Sequence, residues 1–219
     1  MKRTKLIIFD LDGTLLDTLS DLANSVNYGL AQSSFPVHPV ESYKQFIGNG
    51  INKLLERVLP ENQKTEQHID RLKEYCLPYY DEHNTDYTKP YNGILELLEK
   101  LLSEGMMLAV ASNKYQKATE KLIRQLFPDF PFAAVLGQRE GIPVKPDPAI
   151  VYDILKITGQ SAQETIYIGD SGVDMQTASN CGIVSIGVTW GFRPREELES
   201  AGAHFIVDTA NEIFEIIAG

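Results

Sequence analysis

Residues 5–14 read KLIIFDLDGT, an apolar run, Leu6 to Phe9, that passes without a break into Asp10 and Asp12. A run this short and this continuously apolar is the pattern of a strand covered on both faces, as strands of a parallel sheet are. Four later segments repeat it: 106–112 (MMLAVAS), 132–136 (FAAVL), 165–170 (TIYIGD) and 183–187 (IVSIG), with a weaker edge candidate at 204–207. Helical patterns at 115–127, 147–158 and 173–181 lie between them. Strand and helix alternating in this way imply right-handed crossovers and an open, doubly wound α/β sheet. In the expected strand order 3-2-1-4-5 the first strand lies between the second and the fourth. That is the switch point at which such sheets bind ligands.

One connection is too long for this scheme. Residues 11–105 part the first two strands by about 95 positions, where a crossover needs only about a dozen. The end of the interval, 92–104 (NGILELLEKLLSE), has the spacing of the crossover helix, so 17–90 is expected to be an insert and 1–16 with 91–219 the α/β core. Leu19, Leu22, Ala23, Val26 and Leu30 fall on one helical face, and 51–59 and 69–80 carry similar stripes. The insert is therefore expected to be a helical cap standing over the carboxyl edge of the sheet.

With 219 residues, 43% of them hydrophobic, the chain can bury the core of one medium domain and a smaller insert. Its formal net charge of −10 argues against nucleic acid or an anionic membrane as partner, so any anionic ligand must find positive charge locally. The longest apolar run, 106–111, is far short of the roughly 18 residues of a membrane span. The basic start, Lys2, Arg3 and Lys5, precedes an apolar stretch too short for a secretory leader, and a cytoplasmic location is expected. Cys76 and Cys181 are expected to be free thiols, and the four histidines lack metal-ligand spacing. A monomer or weak homodimer is expected.

The chemistry concentrates at strand ends. Asp10 and Asp12 follow the first strand, and Asp170 and Asp174 (GDSGVDM) follow the fourth. If those strands are neighbours, the carboxylates converge and repel, and an all-oxygen cluster of that kind selects a hard divalent cation such as Mg²⁺. Each acid alone reads as readily as a helix cap or turn residue. Ser112, in VASNK, ends the second strand with a hydroxyl and backbone N–H groups suited to a phosphate, and Asn113 is a further candidate. Lys145, in VKPDP, precedes a helix expected to start near Asp147. In the cap, Gly48, Asn49 and Gly50 form a candidate substrate-reading loop, because two glycines let backbone donors approach a small anion. Lys53 and Arg57 follow it one turn apart, either adding positive charge or simply solvated, and Trp190 and Phe192 belong to packing or to the site's rim.

Taken together, DLDGT, Ser112, Lys145 and GDSGVD are the four motifs, in order, of the haloacid dehalogenase superfamily, which this sequence resembles over residues 6–180. The resemblance implies a Rossmann-like core and a Mg²⁺-dependent phosphatase of small phosphorylated metabolites. In that role Asp10 would be the nucleophile that forms an aspartyl-phosphate and Asp12 the general acid and base. Ser112 and Lys145 would hold the phosphoryl group, and Asp10, Asp12 and Asp170 the metal, with Asp174 supporting the metal or orienting Lys145. The tracts 47–59 (IGNGINKLLERVL) and 187–198 (GVTWGFRPREEL) resemble those of phosphoglycolate phosphatases, which makes 2-phosphoglycolate the leading substrate. Sugar phosphomutases share the motifs, but TLSDLANSVN has no histidine where such mutases tend to carry one. A pyrophosphatase or nucleotidase of the same superfamily is a further alternative. A non-catalytic phospho-receiver would have about 120 residues and no insert.

Overall fold

The computed structural model describes residues 4–219, so Lys2 and Arg3 of the basic start lie outside the described residues. The chain begins with β1 (Leu6–Phe9), makes the short strand β2 (Leu16–Asp17), and enters α1 (Leu19–Gln32), α2 (Tyr43–Phe46), α3 (Ile51–Val58) and α4 (Glu66–His83). It returns through β3 (Lys89–Pro90) and α5 (Ile94–Ser103), then alternates through β4 (Met107–Tyr115), α6 (Gln116–Leu126), β5 (Phe132–Gln138) and α7 (Ala149–Thr158). It finishes with β6 (Thr165–Gly169), α8 (Gly172–Asn180), β7 (Val184–Val188), α9 (Arg195–Ser200), β8 (Phe205–Val207) and α10 (Ala210–Ala218).

Six strands form one sheet in the order β5-β4-β1-β6-β7-β8, with parallel pairing throughout. This is the expected order, with the weak candidate at 204–207 as the added edge strand. Because successive side chains of a strand point to opposite faces, β1 serves two cores at once. Ile7 and Phe9 pack with residues of α5, α6 and α10, whereas Leu6 and Ile8 pack with residues of α7 and α8. All four are fully buried, each stabilising the fold by roughly 1.5–3 kcal/mol. The continuous apolar run is thus the direct consequence of a strand with no solvent face.

A separate apolar cluster joins α1, α2, α3 and α4 through Leu22, Val26, Tyr43, Leu55, Leu72 and Tyr80, and it meets the sheet side at Tyr115, Ala118 and Phe192. The chain leaves and re-enters along β2 and β3, which pair antiparallel as Leu16↔Pro90 and Asp17↔Lys89. Asp21, in the first turn of α1 and buried, accepts hydrogen bonds from the Tyr87 and Thr88 N–H groups and from the Thr88 hydroxyl, at 2.7–3.2 Å. Both ends of the helical segment are thereby tied together at one carboxylate.

The second strand is longer than its apolar run. Ser112 does not end β4: pairing resumes beyond a register shift as Tyr115↔Gln138, so Ser112, Asn113 and Lys114 lie within an irregular stretch of strand. An irregular ladder of that sort re-aims side chains without ending the strand. The helix expected to start near Asp147 is α7, which begins at Ala149 after Pro148, with the Asp147 side chain accepting from the Ala149 N–H. Among the described residues no helix is long and apolar enough to cross a membrane. Both cysteines are free, Cys76 buried and Cys181 partly so.

Candidate active site

Asp10 follows β1 directly and Asp170 follows β6, and because the two strands are neighbours the carboxyl groups meet above the sheet edge. Asp174 joins them from the first turn of α8. Carboxylate oxygens of Asp10, Asp170 and Asp174 lie within 4.8 Å of one another, and all three residues are buried. Burial and the nearby Asp174 push the Asp10 carboxyl up to about 7, against the opposing pull of Lys145. Burial, then Asp174 and Asp10, likewise raise Asp170 well above the usual carboxylate range.

Lys145 is the counter-charge. Its ammonium is 2.9 Å from Asp10 Oδ1 and 2.8 Å from Asp174 Oδ1, and it also donates to the Ala111 carbonyl at 2.9 Å and the Tyr167 hydroxyl at 3.1 Å. Burial opposes its charge, but Asp10 and Asp174 outweigh that and hold it well above its ordinary value. An ammonium with its donors committed in this way is a fixed point charge rather than a flexible surface lysine.

Asp174 satisfies two readings at once. Its Oδ2 accepts from the Ser171 N–H at 3.2 Å and the Ser171 hydroxyl at 2.6 Å, a reciprocal cap on α8, while its Oδ1 accepts from Lys145. The capping role and the site role belong to different oxygens of one carboxylate. Asp12 Oδ1 accepts from the Thr18 hydroxyl at 2.7 Å and lies 3.2 Å from the Lys114 ammonium. Asp170 Oδ2 accepts from the Phe192 N–H at 2.7 Å, and the Trp190 indole donates to the Thr14 carbonyl at 3.1 Å, so the 190–192 turn clamps the loop after β1 to the loop after β6.

A cavity of about 70 Å³ lies between this cluster and the helical segment. Asp10, Asp12, Ser112, Lys114 and Asp170 line one side, and Leu22, Val26, Ile51, Leu54, Leu77 and Phe192 make the other predominantly apolar. Gly48 and Gly50 also line it, with φ of +120° and +81°. Those left-handed values, disfavoured for residues with a Cβ, let the loop backbone face the cavity directly.

The other sequence candidates take different places. Asn113 is fully engaged as a link: its amide nitrogen donates to the Gly48 carbonyl at 3.0 Å and the Lys145 carbonyl at 3.1 Å, and its oxygen accepts from the Lys145 N–H at 2.8 Å. It joins the glycine loop to the Lys145 loop. Asn49 accepts from Arg57, which also donates to the Phe46 carbonyl, so Arg57 braces the loop from outside. Lys53 is exposed and paired with Glu56. Four residues to which the sequence assigns no role enter the site: Lys114, Tyr80, Tyr167 and Arg193, the last donating to the Ile47 carbonyl at 2.6 Å. Only the approach of distant elements brings them there.

Known proteins resemble the chain over most of its length. Phosphoglycolate phosphatase of Mesorhizobium japonicum is 33% identical over 197 residues, covering 89% of this chain and 86% of that protein. Its counterpart in Mannheimia succiniciproducens is 31% identical over 219 residues, covering 97% and 98%. A crystal structure from Lactobacillus delbrueckii subsp. bulgaricus, of a protein provisionally named phosphoglycolate phosphatase, superposes with a TM-score of 0.92 at 36% identity, covering 98% of each chain. The family model described as haloacid dehalogenase-like hydrolase matches residues 7–188, a span that holds every acid of the cluster, Ser112 and Lys145, and the chain belongs to that family.

Proposed function

We propose that the protein is a Mg²⁺-dependent phosphatase that hydrolyses a small phosphate monoester, with 2-phosphoglycolate the leading substrate, through an aspartyl-phosphate on Asp10. The observation that carries this reading is Lys145, buried between Asp10 and Asp174, beside a compact cavity that also holds Asp12 and Ser112. Residues 17–90 act as the cap in this reading, and 1–16 with 91–219 as the catalytic core. Curated relatives named phosphoglycolate phosphatase support the substrate.

The donor set fits a hard divalent ion: three buried carboxylates face a single lysine, an excess of negative charge that protonation or a cation must relieve. Asp10 and Asp170 are the carboxylates we assign to it, with the Asp12 backbone carbonyl as the resemblance implies. Asp174, whose two oxygens already serve Lys145 and Ser171, supports them. When bound, Mg²⁺ supplies charge neutralisation and alignment of the phosphoryl oxygens.

The protein's own groups then divide the displacement in two. The Asp10 carboxylate attacks phosphorus while Asp12 gives its proton to the departing ester oxygen. Asp12 next takes a proton from the water that cleaves the aspartyl-phosphate, and both carboxyl groups return to their starting states. Lys145 holds Asp10 in register throughout, and Ser112 faces the phosphoryl group. The apolar wall of Leu22, Val26, Ile51 and Leu54 excludes competing water. It also disfavours mutase chemistry, because α1 presents Leu22, Ser25 and Val26 to the cavity and no histidine.

Asp10→Asn is expected to lower turnover of an aryl phosphate in Mg²⁺ by at least about a thousandfold while the melting transition survives. Wild-type turnover in that variant removes Asp10 as nucleophile. Excess EDTA is expected to silence the wild type, and activity that persists in it removes the metal. Relative kcat/KM across 2-phosphoglycolate, sugar phosphates, nucleotides and pyrophosphate decides the substrate.

A further inference from the structure

Lys114 is a buried cation to which the reaction above gives no part. It lies two residues beyond Ser112, with only 4% of its side chain exposed, and it lines the cavity. Its ammonium donates to the Tyr80 hydroxyl of α4 at 2.8 Å, sits 4.6 Å from the centre of the Tyr80 ring, and lies 3.2 Å from Asp12 Oδ1. Withdrawing a lysine from water is costly unless the charge is used. Two of its three N–H donors have partners here, which leaves one for a ligand. Arg193, the other cation lining the cavity, is tied to the Ile47 carbonyl and to Glu197, and Lys145 is enclosed by its own four partners.

The position of Lys114 beside the acid sets what it can touch. In the reaction proposed above, Asp12 must reach the ester oxygen at hydrogen-bond distance, about 2.6–3.2 Å. An ammonium next to the same carboxylate then faces the atoms attached to that oxygen rather than the phosphoryl group. A carboxylate one carbon away from the ester oxygen lies roughly 3 Å from it, within reach of the free N–H. The helical wall across the cavity is mostly apolar, with Leu22, Val26, Ile51, Leu54 and Leu77, and Ser25 among them.

We propose that Lys114 is the specificity-determining residue of the site, holding an anionic carboxylate on the carbon next to the ester oxygen, so that the substrates are small phosphorylated 2-hydroxy acids. This inference rests on the phosphatase reading and extends it, placing leaving-group recognition on the core strand β4 and on Tyr80 rather than on the glycine loop alone.

The test compares kcat/KM in Mg²⁺ for 2-phosphoglycolate and for 2-hydroxyethyl phosphate, which keeps the size and lacks the carboxylate. Lys114→Met is expected to cost 2-phosphoglycolate about 10- to 100-fold more than it costs the ester without the carboxylate, the effect of one charge-assisted hydrogen bond. Lys114→Arg, which keeps the charge, is expected to retain most of the preference. An equal fall on both esters assigns Lys114 to Asp12 or to folding and overturns the proposal, as does no fall on either. Should the methionine variant not fold, inhibition of the wild type decides: glycolate is expected to compete and ethylene glycol is not, and equal inhibition by the two overturns the proposal. Failure of the phosphatase reading is separately visible, as a wild type that turns over neither ester.

Discussion

At the scale of single residues the site is built by close approach. Gly191 stands where an added Cβ would lie 2.3 Å from Asp170 Cβ and 2.5 Å from the Gly13 carbonyl. That closeness is what lets the neighbouring Phe192 N–H reach Asp170 Oδ2. Gly191→Ala is therefore expected to displace Asp170, destabilise the protein by roughly 1–3 kcal/mol in urea unfolding, and weaken the response to Mg²⁺. An unchanged midpoint with unchanged activity refutes this. Asp174→Ala is expected to cost about 2–3 kcal/mol, because it removes one of the two carboxylates on the buried Lys145 ammonium, which keeps Asp10, together with the α8 cap. A loss as small as that of an exposed cap, about 1 kcal/mol, shows that Lys145 finds other compensation. These residues also mark what a sequence yields. Asp10, Asp12, Asp170 and Asp174 announce themselves because acids at the ends of apolar strands have no structural reason to be there in pairs, and Lys145 stands out only as part of the set they form. Lys114, Tyr80 and Arg193 announce nothing: a lone lysine, a tyrosine on an amphipathic helix and an arginine in a loop become meaningful only when tertiary contacts bury them together.

At the scale of elements, period and length carried most of the fold. The apolar runs became β1, β4, β5, β6 and β7 in the expected order because strands covered on both faces leave few other patterns. Boundaries were less legible: α4 extends from Glu66 to His83, beyond the stripe at 69–80 and through Pro78, and β4 runs past Ser112 across a register shift. Both depend on partners distant in the chain. The same is true of the joint between the helical segment and the sheet, where Asp21 of α1 accepts from the Tyr87 and Thr88 backbone. Its position in an amphipathic helix suggests only a solvated acid, yet it is buried. Asp21→Ala leaves two backbone donors and a hydroxyl unpaired, and a loss of about 2–4 kcal/mol in global stability is expected. Hydrogen exchange is expected to locate the loosening at residues 86–89. Protection there equal to the wild type refutes the joint.

At the scale of the whole molecule, the proposed function reconciles a charge of −10 with an anionic substrate by concentrating acids where a cation can relieve them. The metal-free protein carries the cost of that arrangement, and the sign follows from Asp10. Its carboxyl is ordinarily near 3.8 and is pushed up to about 7 in the fold, chiefly by burial. Between those two values the folded state holds a proton that the unfolded chain has released. The contribution of Asp10 to stability therefore declines as pH rises from about 4 through about 7. Asp170, raised in the same direction, adds to the decline. A divalent ion takes these carboxylates in their ionised form, so its binding expels the protons, and its affinity grows with pH across the window in which the metal-free protein weakens. The upward shift in melting temperature on adding saturating Mg²⁺ is accordingly expected to be larger at pH 8 than at pH 5.5, and Asp170→Asn is expected to abolish most of it at both. A shift of equal size at the two pH values means that the ion binds elsewhere than among Asp10 and Asp170. A shift that survives in Asp170→Asn means the same.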